Sequence, residues 1–242
     1  MNFLHLNKTV VLFESINQME KDIILQAIQE ARKSPKRNFI QGYEIVINFK
    51  DLDIKKPEHQ LNLYIPLKKR GKKIKICAFC GPEMSTQAKD VCDRVIVSDE
   101  FDRFSKKEIK KLAEEFDYFI AQGNIMNRVA SVFGRVLGPR GKMPNPKAGC
   151  VIAPNTNLSA LYEKLQNTVN TKIRKDPSMQ CSVGNEGMKD EEIADNIMTI
   201  YDTVIHNLPN EKDNVDSVSI KLTMGKPISL TEKQEISKAK RH

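Results

Sequence analysis

Ile74-Lys-Ile-Cys-Ala-Phe79, Arg94-Val-Ile-Val97 and Asp117-Tyr-Phe-Ile-Ala121 are three short apolar runs in one third of the chain. Runs of this length, rich in β-branched and aromatic residues, predict buried strands. Between them a short helix is predicted after Pro82, and a longer one from Ser105 to Phe116, where Ser105 and Glu108 have capping-box spacing. Ile125 to Val136 predicts a third helix. Strand and helix therefore alternate over roughly 80 residues, the pattern of an open α/β sheet.

The flanks have a different rhythm. Residues 20–33 carry apolar side chains at 23, 24, 27, 28 and 31, which is helical spacing, and Pro35 ends that helix. Tyr43-Glu-Ile-Val-Ile-Asn-Phe49 and Leu61-Asn-Leu-Tyr-Ile-Pro66 predict strands. Beyond the block, Leu158 to Val169 predicts a helix, and Thr171–Arg174 with Met179–Val183 a hairpin. Asp190 to Leu208 predicts an amphipathic helix with Ile193, Ile197, Ile200, Tyr201, Val204 and Ile205 on one side. Ser217-Val-Ser-Ile-Lys-Leu222 alternates as an edge-compatible strand.

The run Lys68 to Lys75, six cations in eight residues, marks a boundary. The fold class expected is α/β: a discontinuous α+β first domain, residues 1–67 and 157–242, with an inserted Rossmann-like α/β domain, residues 68–156. Linkers near 67–73 and 154–158 would join them. The polar, charged stretch Thr231–His242 is expected to be a mobile tail.

The 242 residues carry a net charge of +8, which favours an anionic partner, nucleic acid first and an anionic membrane second. No apolar run approaches the roughly 18–20 residues of a membrane span. The first 13 residues have no cationic n-region and no small-residue cleavage site, so they make a poor signal peptide. Five cysteines are an odd number, and Cys77-Ala-Phe-Cys80 is a lone CxxC with no ligand spacing to His59, His206 or His242. Structural thiols in a reducing cytoplasm, with no metal, are expected. Cys80-Gly-Pro-Glu-Met84 after the first strand of the block is neither a dinucleotide fingerprint nor a P-loop, and the four histidines lie in unrelated contexts. Neither a catalytic site nor a cofactor is expected.

From Tyr118 to Tyr162 the chain has no Asp or Glu, while Arg128, Arg135, Arg140, Lys142 and Lys147 lie inside. The centre, Leu137-Gly-Pro-Arg-Gly-Lys-Met-Pro-Asn-Pro-Lys147, is a loop on Gly/Pro backbone. Its cations suit phosphate oxygens. A solvated basic loop is the alternative.

Gly138-Pro-Arg-Gly-Lys-Met-Pro144 resembles the signature of the L-one family of ribosomal proteins, which form the mobile stalk of the large ribosomal subunit. Lys221-Leu-Thr-Met-Gly-Lys-Pro227 and Lys36-Arg-Asn-Phe39 are similar to two further family elements, in family order, and the resemblance spans roughly residues 19 to 230. The wording of the loop resembles the archaeal branch. The first 18 residues depart from that pattern; an added β-strand and a true start at Met19 both remain open.

The resemblance implies a structural constituent of the large subunit that binds 23S-type ribosomal RNA. It also implies contact with departing deacylated tRNA, a hinge between the domains, and translational repression through the protein's own mRNA. It implies no enzyme, no membrane partner, a cytoplasmic ribosomal location, and a monomer outside the ribosome. A non-ribosomal relative acting in ribosome biogenesis is the alternative function, and a cofactor-using α/β enzyme a third class.

Lys33, Lys36, Arg37 and Phe39 cluster at a helix end. The cations either bridge phosphates or offset the helix dipole, and Phe39 is either a stacking face or core. The resemblance implies RNA contact for Lys36, Arg37 and Phe39. Thr223, Met224 and Gly225 end a strand; by themselves they equally fit an ordinary turn, and the resemblance implies a shape-reading RNA contact. Ser217 on the same strand and Lys172 and Arg174 on the expected hairpin complete the primary set. Arg140, Lys142 and Lys147 are expected to add peripheral, salt-dependent affinity. Lys68, Lys69, Arg70, Lys72 and Lys73 either do the same or cover the hinge.

Overall fold

A computed structural model describes residues 21–53, 56, 59–153, 156–173 and 176–230. The first 18 residues, Arg174 and the tail lie outside the described residues. The chain divides into two compact units, residues 1–71 with 169–242 and residues 72–168.

In the first unit, α1 spans residues 21–32 and turns Ile24, Ala27, Ile28 and Ala31 inward. Ile23 lies off this stripe and is exposed. Strand β1 (Gly42–Phe49) alternates so that Tyr43, Ile45, Ile47 and Phe49 are buried, while Glu44, Val46 and Asn48 face the other way. β2 (Asn62–Pro66) is short. The remaining elements of this unit, numbered in chain order, are β7 (Thr168–Lys172), β8 (Ser178–Asn185), α6 (Asp190–Ile205), β9 (Val215–Leu222) and β10 (Ile228–Ser229).

β10, β9, β1 and β8 form, in that order, an antiparallel sheet. One face packs into a core shared with Ile28 of α1 and Ile193, Ile197, Ile200 and Val204 of α6. Each fully buried aliphatic side chain of this kind contributes about 1.5–3 kcal/mol. The opposite face is polar, with Ser217 and Ser219 beside Asn48 and Val46.

The expected 171–183 hairpin does not form. β7 follows directly on the preceding helix and pairs with β2, and Ile173 N–H donates to Leu61 O at 3.1 Å. β8 pairs with β1 instead. The alternation of each run marked it as a strand but carried no information on its partner.

The second unit is a four-stranded parallel sheet, β4 (Arg94–Val97), β3 (Ile76–Cys80), β5 (Tyr118–Gln122) and β6 (Val151–Ile152), in that spatial order. Helices α2 (Ser85–Val91), α3 (Lys106–Glu115), α4 (Met126–Leu137) and α5 (Leu158–Asn167) alternate with and follow the strands. An aromatic core of Phe79, Phe101, Phe119 and Phe133 fills the α3–α4 side, with Phe79 and Phe119 stacked at 5.7 Å. Ser105 and Glu108 form the capping box that starts α3, Ser105 N–H donating to Glu108 Oε2 at 2.8 Å.

The expected division put residues 157–168 in the first domain, whereas α5 packs in the second unit. Gln166 is the reason: its amide accepts from Ile74 N–H at 2.9 Å and donates to Ile74 O at 2.7 Å. Tyr118 O–H adds a bond to Thr168 O.

The expected linker at 67–73 is held to the first unit through Gly71. Lys68 pairs with Asp195 and Lys69 with Glu192. Asn196 donates to Lys69 O and Asn185 to Gly71 O, both at 2.7 Å. Gly71 has φ +76, in the left-handed region that favours glycine, and a Cβ there would press on the Met188 side chain.

All five cysteines are buried. Burial pushes Cys92 and Cys150 up to about 11, and Cys77 further. Among the described residues no group of three His, Cys, Asp or Glu is placed to hold a metal, and no helix is long and apolar enough to cross a membrane.

Candidate RNA interface

Pro35 bars continuation of α1 and leaves residues 35–40 as an exposed loop before β1. Lys36 and Arg37 are exposed there, and Phe39 and Ile40 are 53% and 71% exposed. Phe39 is therefore not a core residue. At the other end of β9, Leu222 to Gly225 form a four-residue turn closed by Gly225 N–H donating to Leu222 O at 2.9 Å. Met224, inside that turn, is 61% exposed.

Gln41 ties the loop to the turn. Its side chain, 1% exposed, accepts Met224 N–H at 3.2 Å and donates to Glu186 Oε1 at 3.4 Å. Its main chain exchanges two further bonds with Glu186, at 2.9 and 3.0 Å. Thr223 adds a second tie: its Oγ1 lies 3.2 Å from both Gly42 N and Gly42 O, and its N–H donates to Gly42 O at 3.0 Å. Three large apolar side chains are thus held in water by a buried polar knot. Exposed apolar groups so fixed mark a binding surface more than a packing error.

Ser217 lies six residues before Thr223 on the same face of β9, about 20 Å along the strand. Its hydroxyl accepts from Asn48 Nδ2 at 2.9 Å. Lys221, between them, pairs with Glu44 at 3.3 Å, and Gln180 donates to the same carboxylate. This sheet face carries Ser219, Asn48 and the Lys221–Glu44 ion pair beside Val46, whereas Ser217 itself, 8% exposed, is buried. Gly225 is explained by the turn itself, since a Cβ would come to 3.1 Å from Leu222 Cβ.

Lys172 is exposed on β7, in the two-stranded sheet rather than beside Ser217. Gln41, Glu186 and Ile40 were missed by sequence reasoning. A polar residue at the inward phase of the β1 alternation was the available signal for Gln41.

The acid-free loop of the second unit has a different character from that expected. Lys142 N–H donates to Leu137 O at 3.0 Å and Gly141 N–H to Gly138 O at 2.9 Å, with Gly141 at φ +67. This is the Schellman ending of α4. The Lys142 ammonium donates to Ala113 O at 2.9 Å and Phe116 O at 2.8 Å, satisfying the C-terminus of α3. Burial holds its pKa below the usual lysine value. Arg140 pairs with Glu114 at 3.0 Å and donates to Lys110 O. The expected free phosphate ligands at 140 and 142 are thus engaged within the fold, while Lys147 is exposed on a 3-10 turn.

At the carboxyl ends of β3 and β5, where a doubly wound sheet offers its ligand crevice, the space holds the fully buried Gln122 side chain. It accepts Gly81 N–H at 2.9 Å and donates to Glu83 at 3.2 Å.

Fold and site together define a basic two-unit α/β protein whose exposed apolar cluster, Phe39, Ile40 and Met224, sits at one end of an antiparallel sheet. The chain belongs to the ribosomal protein L1p/L10e family, whose model matches residues 30–226. It is 41% identical over 208 residues to the large ribosomal subunit protein uL1 of Nanoarchaeum equitans, covering 84% of this chain and 97% of that one. The uL1 protein of Methanothermococcus thermolithotrophicus is 41% identical over 216 residues, with 88% and 99% covered. That of Methanocaldococcus jannaschii is 35% identical over 226 residues, with 92% and 100% covered.

Proposed function

We propose that this protein is a structural constituent of the large ribosomal subunit, working in the cytoplasm and not as an enzyme, and that its first unit binds ribosomal RNA directly. The observation that carries this reading is the cluster of Phe39, Ile40 and Met224, exposed and yet fixed by Gln41. Lys36 and Arg37 would supply phosphate contacts, Phe39 and Met224 packing against ribose or base, and the Thr223–Gly225 turn a close approach for the RNA backbone. Ser219 and Asn48, partly exposed beside the buried Ser217, would add hydrogen bonds to sugar hydroxyls. The partner would be a folded element of 23S-type RNA read by shape, because an A-form helix hides its bases in a deep, narrow groove.

Family membership supports the remaining parts of the reading. The second unit would contact deacylated tRNA leaving the exit site, moving on the crossings at 71/72 and 168/169. The first unit would also bind a similar fold in the protein's own mRNA and repress its translation. Off the ribosome the protein would be a monomer.

A salt-titrated binding assay tests the core of this reading. The purified chain is measured on a structured stalk-base fragment of large-subunit RNA and on a scrambled duplex of equal length. Selective binding that survives high salt, and that drops at least tenfold in Phe39→Ala and Met224→Ala with unchanged melting temperatures, is the expected outcome. Equal binding to both RNAs that vanishes with salt would sink it.

A further inference from the structure

The loop that carries Phe39 and Ile40 is closed at both ends on one turn. It runs over residues 33–40, with Arg32, the last residue of α1, before it and Gln41 after it. Between β8 and α6 the chain turns at residues 185–188, where Met188 N–H donates to Asn185 O and Gly187 N–H to Asn185 Oδ1, both at 3.1 Å. Gln41 grips this turn through Glu186, by main chain and side chain. Arg32 grips it from the other end of the loop. Its Nη1 donates to Glu186 O at 3.1 Å, its Nη2 to Met188 O at 3.0 Å, and its Nε to Asp190 Oδ1 at 2.8 Å.

Arg32 stands close in sequence to Lys36 and Arg37 but is used differently. Those two make no ion pair among the described residues. At Arg32 the Nη2 also donates to Asp190 Oδ1, so four of the five guanidinium N–H groups are taken within the fold. The Asp190 carboxylate offsets its charge, and the guanidinium lies over the Tyr43 ring, 5.9 Å from its centroid. A phosphate would find one free donor there and little net charge. The planar fork instead matches three acceptors spread over residues 186–190, which the point charge of a lysine could not meet together.

We infer that Arg32 is a positioning residue for the RNA-binding surface: it holds Glu186, Glu186 holds Gln41, and Gln41 holds the turn that carries Met224. The inference rests on the ribosomal reading above and adds to it a residue that itself takes no RNA. Glu186 is the centre of the relay. Its carbonyl belongs to Arg32, while its N–H and its carboxylate belong to Gln41. Phe39, Ile40 and Met224 are too exposed for packing to fix them, so their placement depends on this relay. Releasing Arg32 frees the turn on the side away from Gln41, and with it the base of the loop. The surface then loses order before binding, which the RNA must restore at a cost in affinity.

The test compares Arg32→Lys and Asp190→Asn with the unmodified chain and with Val204→Ala, which opens a cavity in the core at the far end of α6. Affinity for the stalk-base RNA is measured against salt at a temperature where every variant is folded. Both clamp variants should lose about fivefold or more, and Val204→Ala less than about twofold. The salt slope should stay within about 0.3 of the unmodified value, whereas a lost phosphate contact would lower it by roughly 0.7–0.9. In a Gln41→Ala background Arg32→Lys should cost less than about twofold, because the relay is already cut. Without RNA, amide exchange at Met224 should quicken in the clamp variants and not in Val204→Ala. Unchanged affinity in both clamp variants, a slope lowered by a full contact, an equal loss in Val204→Ala, or an additive loss in the Gln41→Ala background would overturn the inference. Failure of the unmodified chain to prefer the stalk-base RNA over a scrambled duplex strikes the ribosomal reading instead, and exchange at Met224 then still decides the relay.

Discussion

Gln41 Oε1 accepts the main-chain N–H of Met224 at 3.2 Å, joining two segments 183 residues apart in the chain. The loop after α1 and the turn after β9 are each too short to fix an exposed side chain alone. The shared amide, braced by Glu186, makes them one surface.

Gln41→Ala should therefore act on both stability and binding. It strands the Met224 N–H and removes the side-chain donation to Glu186 Oε1, while the main-chain N–H of residue 41 still bonds Glu186 Oε2, so the cost should be about 1–2 kcal/mol. Urea denaturation should show that loss, and stalk-base affinity should fall at least tenfold while the circular dichroism spectrum is kept. Unchanged affinity in a folded variant would mean that the turn and loop act independently.

Lys142 gives a prediction in the second unit. Replacing it with Met removes the donors to Ala113 O and Phe116 O and should lower stability by about 1–2 kcal/mol, with faster amide exchange at the end of α3. The pH dependence has a definite sign. Burial lowers the folded-state pKa from the ordinary 10.5, so between the two values the unfolded chain binds more protons. Stability should rise with pH across that window, and the rise should be smaller in Lys142→Met. A parallel pH profile in the variant would show that Lys142 titrates as an ordinary surface lysine.

These two residues mark what the sequence could and could not reveal. The α/β alternation, the Ser105–Glu108 cap and the amphipathic stripe of α6 are local patterns, and each was legible because the residues that define it are neighbours. Lys142 looked like a phosphate ligand because nothing local announces that its ammonium reaches a helix end 26 residues back. The pairing of β7 with β2, and the docking of α5 through Gln166, were hidden for the same reason. At the candidate site, the resemblance supplied Phe39 and the Thr223–Gly225 turn, whereas Gln41 became visible only when its partners at 186 and 224 were in place.

The start of α1 supplies a pH effect of opposite origin. The hydrogen bond from Lys21 holds the Asp195 carboxyl below its ordinary 3.8, with Lys68 assisting. A depressed carboxylate contributes stability above its unfolded value and loses it as pH falls through the folded one. Both partners are about one-third exposed, so solvent screening limits the contribution to about 0.5–1 kcal/mol. Asp195→Asn should remove that amount at neutral pH and flatten the decline in stability below about pH 4. Acid unfolding followed by circular dichroism would reveal a null result as two superimposable curves.

Gly141 isolates the conformational share of the signature loop. Its φ is +67, and a Cβ built there meets no atom within 4 Å, so substitution adds no clash. Any loss must come from placing an L side chain in the left-handed region. For alanine this costs about 1 kcal/mol, less what the stiffer unfolded chain returns. Asparagine tolerates the region and should lose less. Thermal unfolding should thus order the variants as glycine, asparagine, alanine, from most to least stable. Because Lys142 follows directly in the same Schellman ending, the alanine variant should also quicken exchange at the end of α3, although residue 141 does not touch it. Equal melting temperatures for alanine and glycine would mean that the loop relaxes to another turn, and the cap on α3 would then depend on the reach of Lys142 alone.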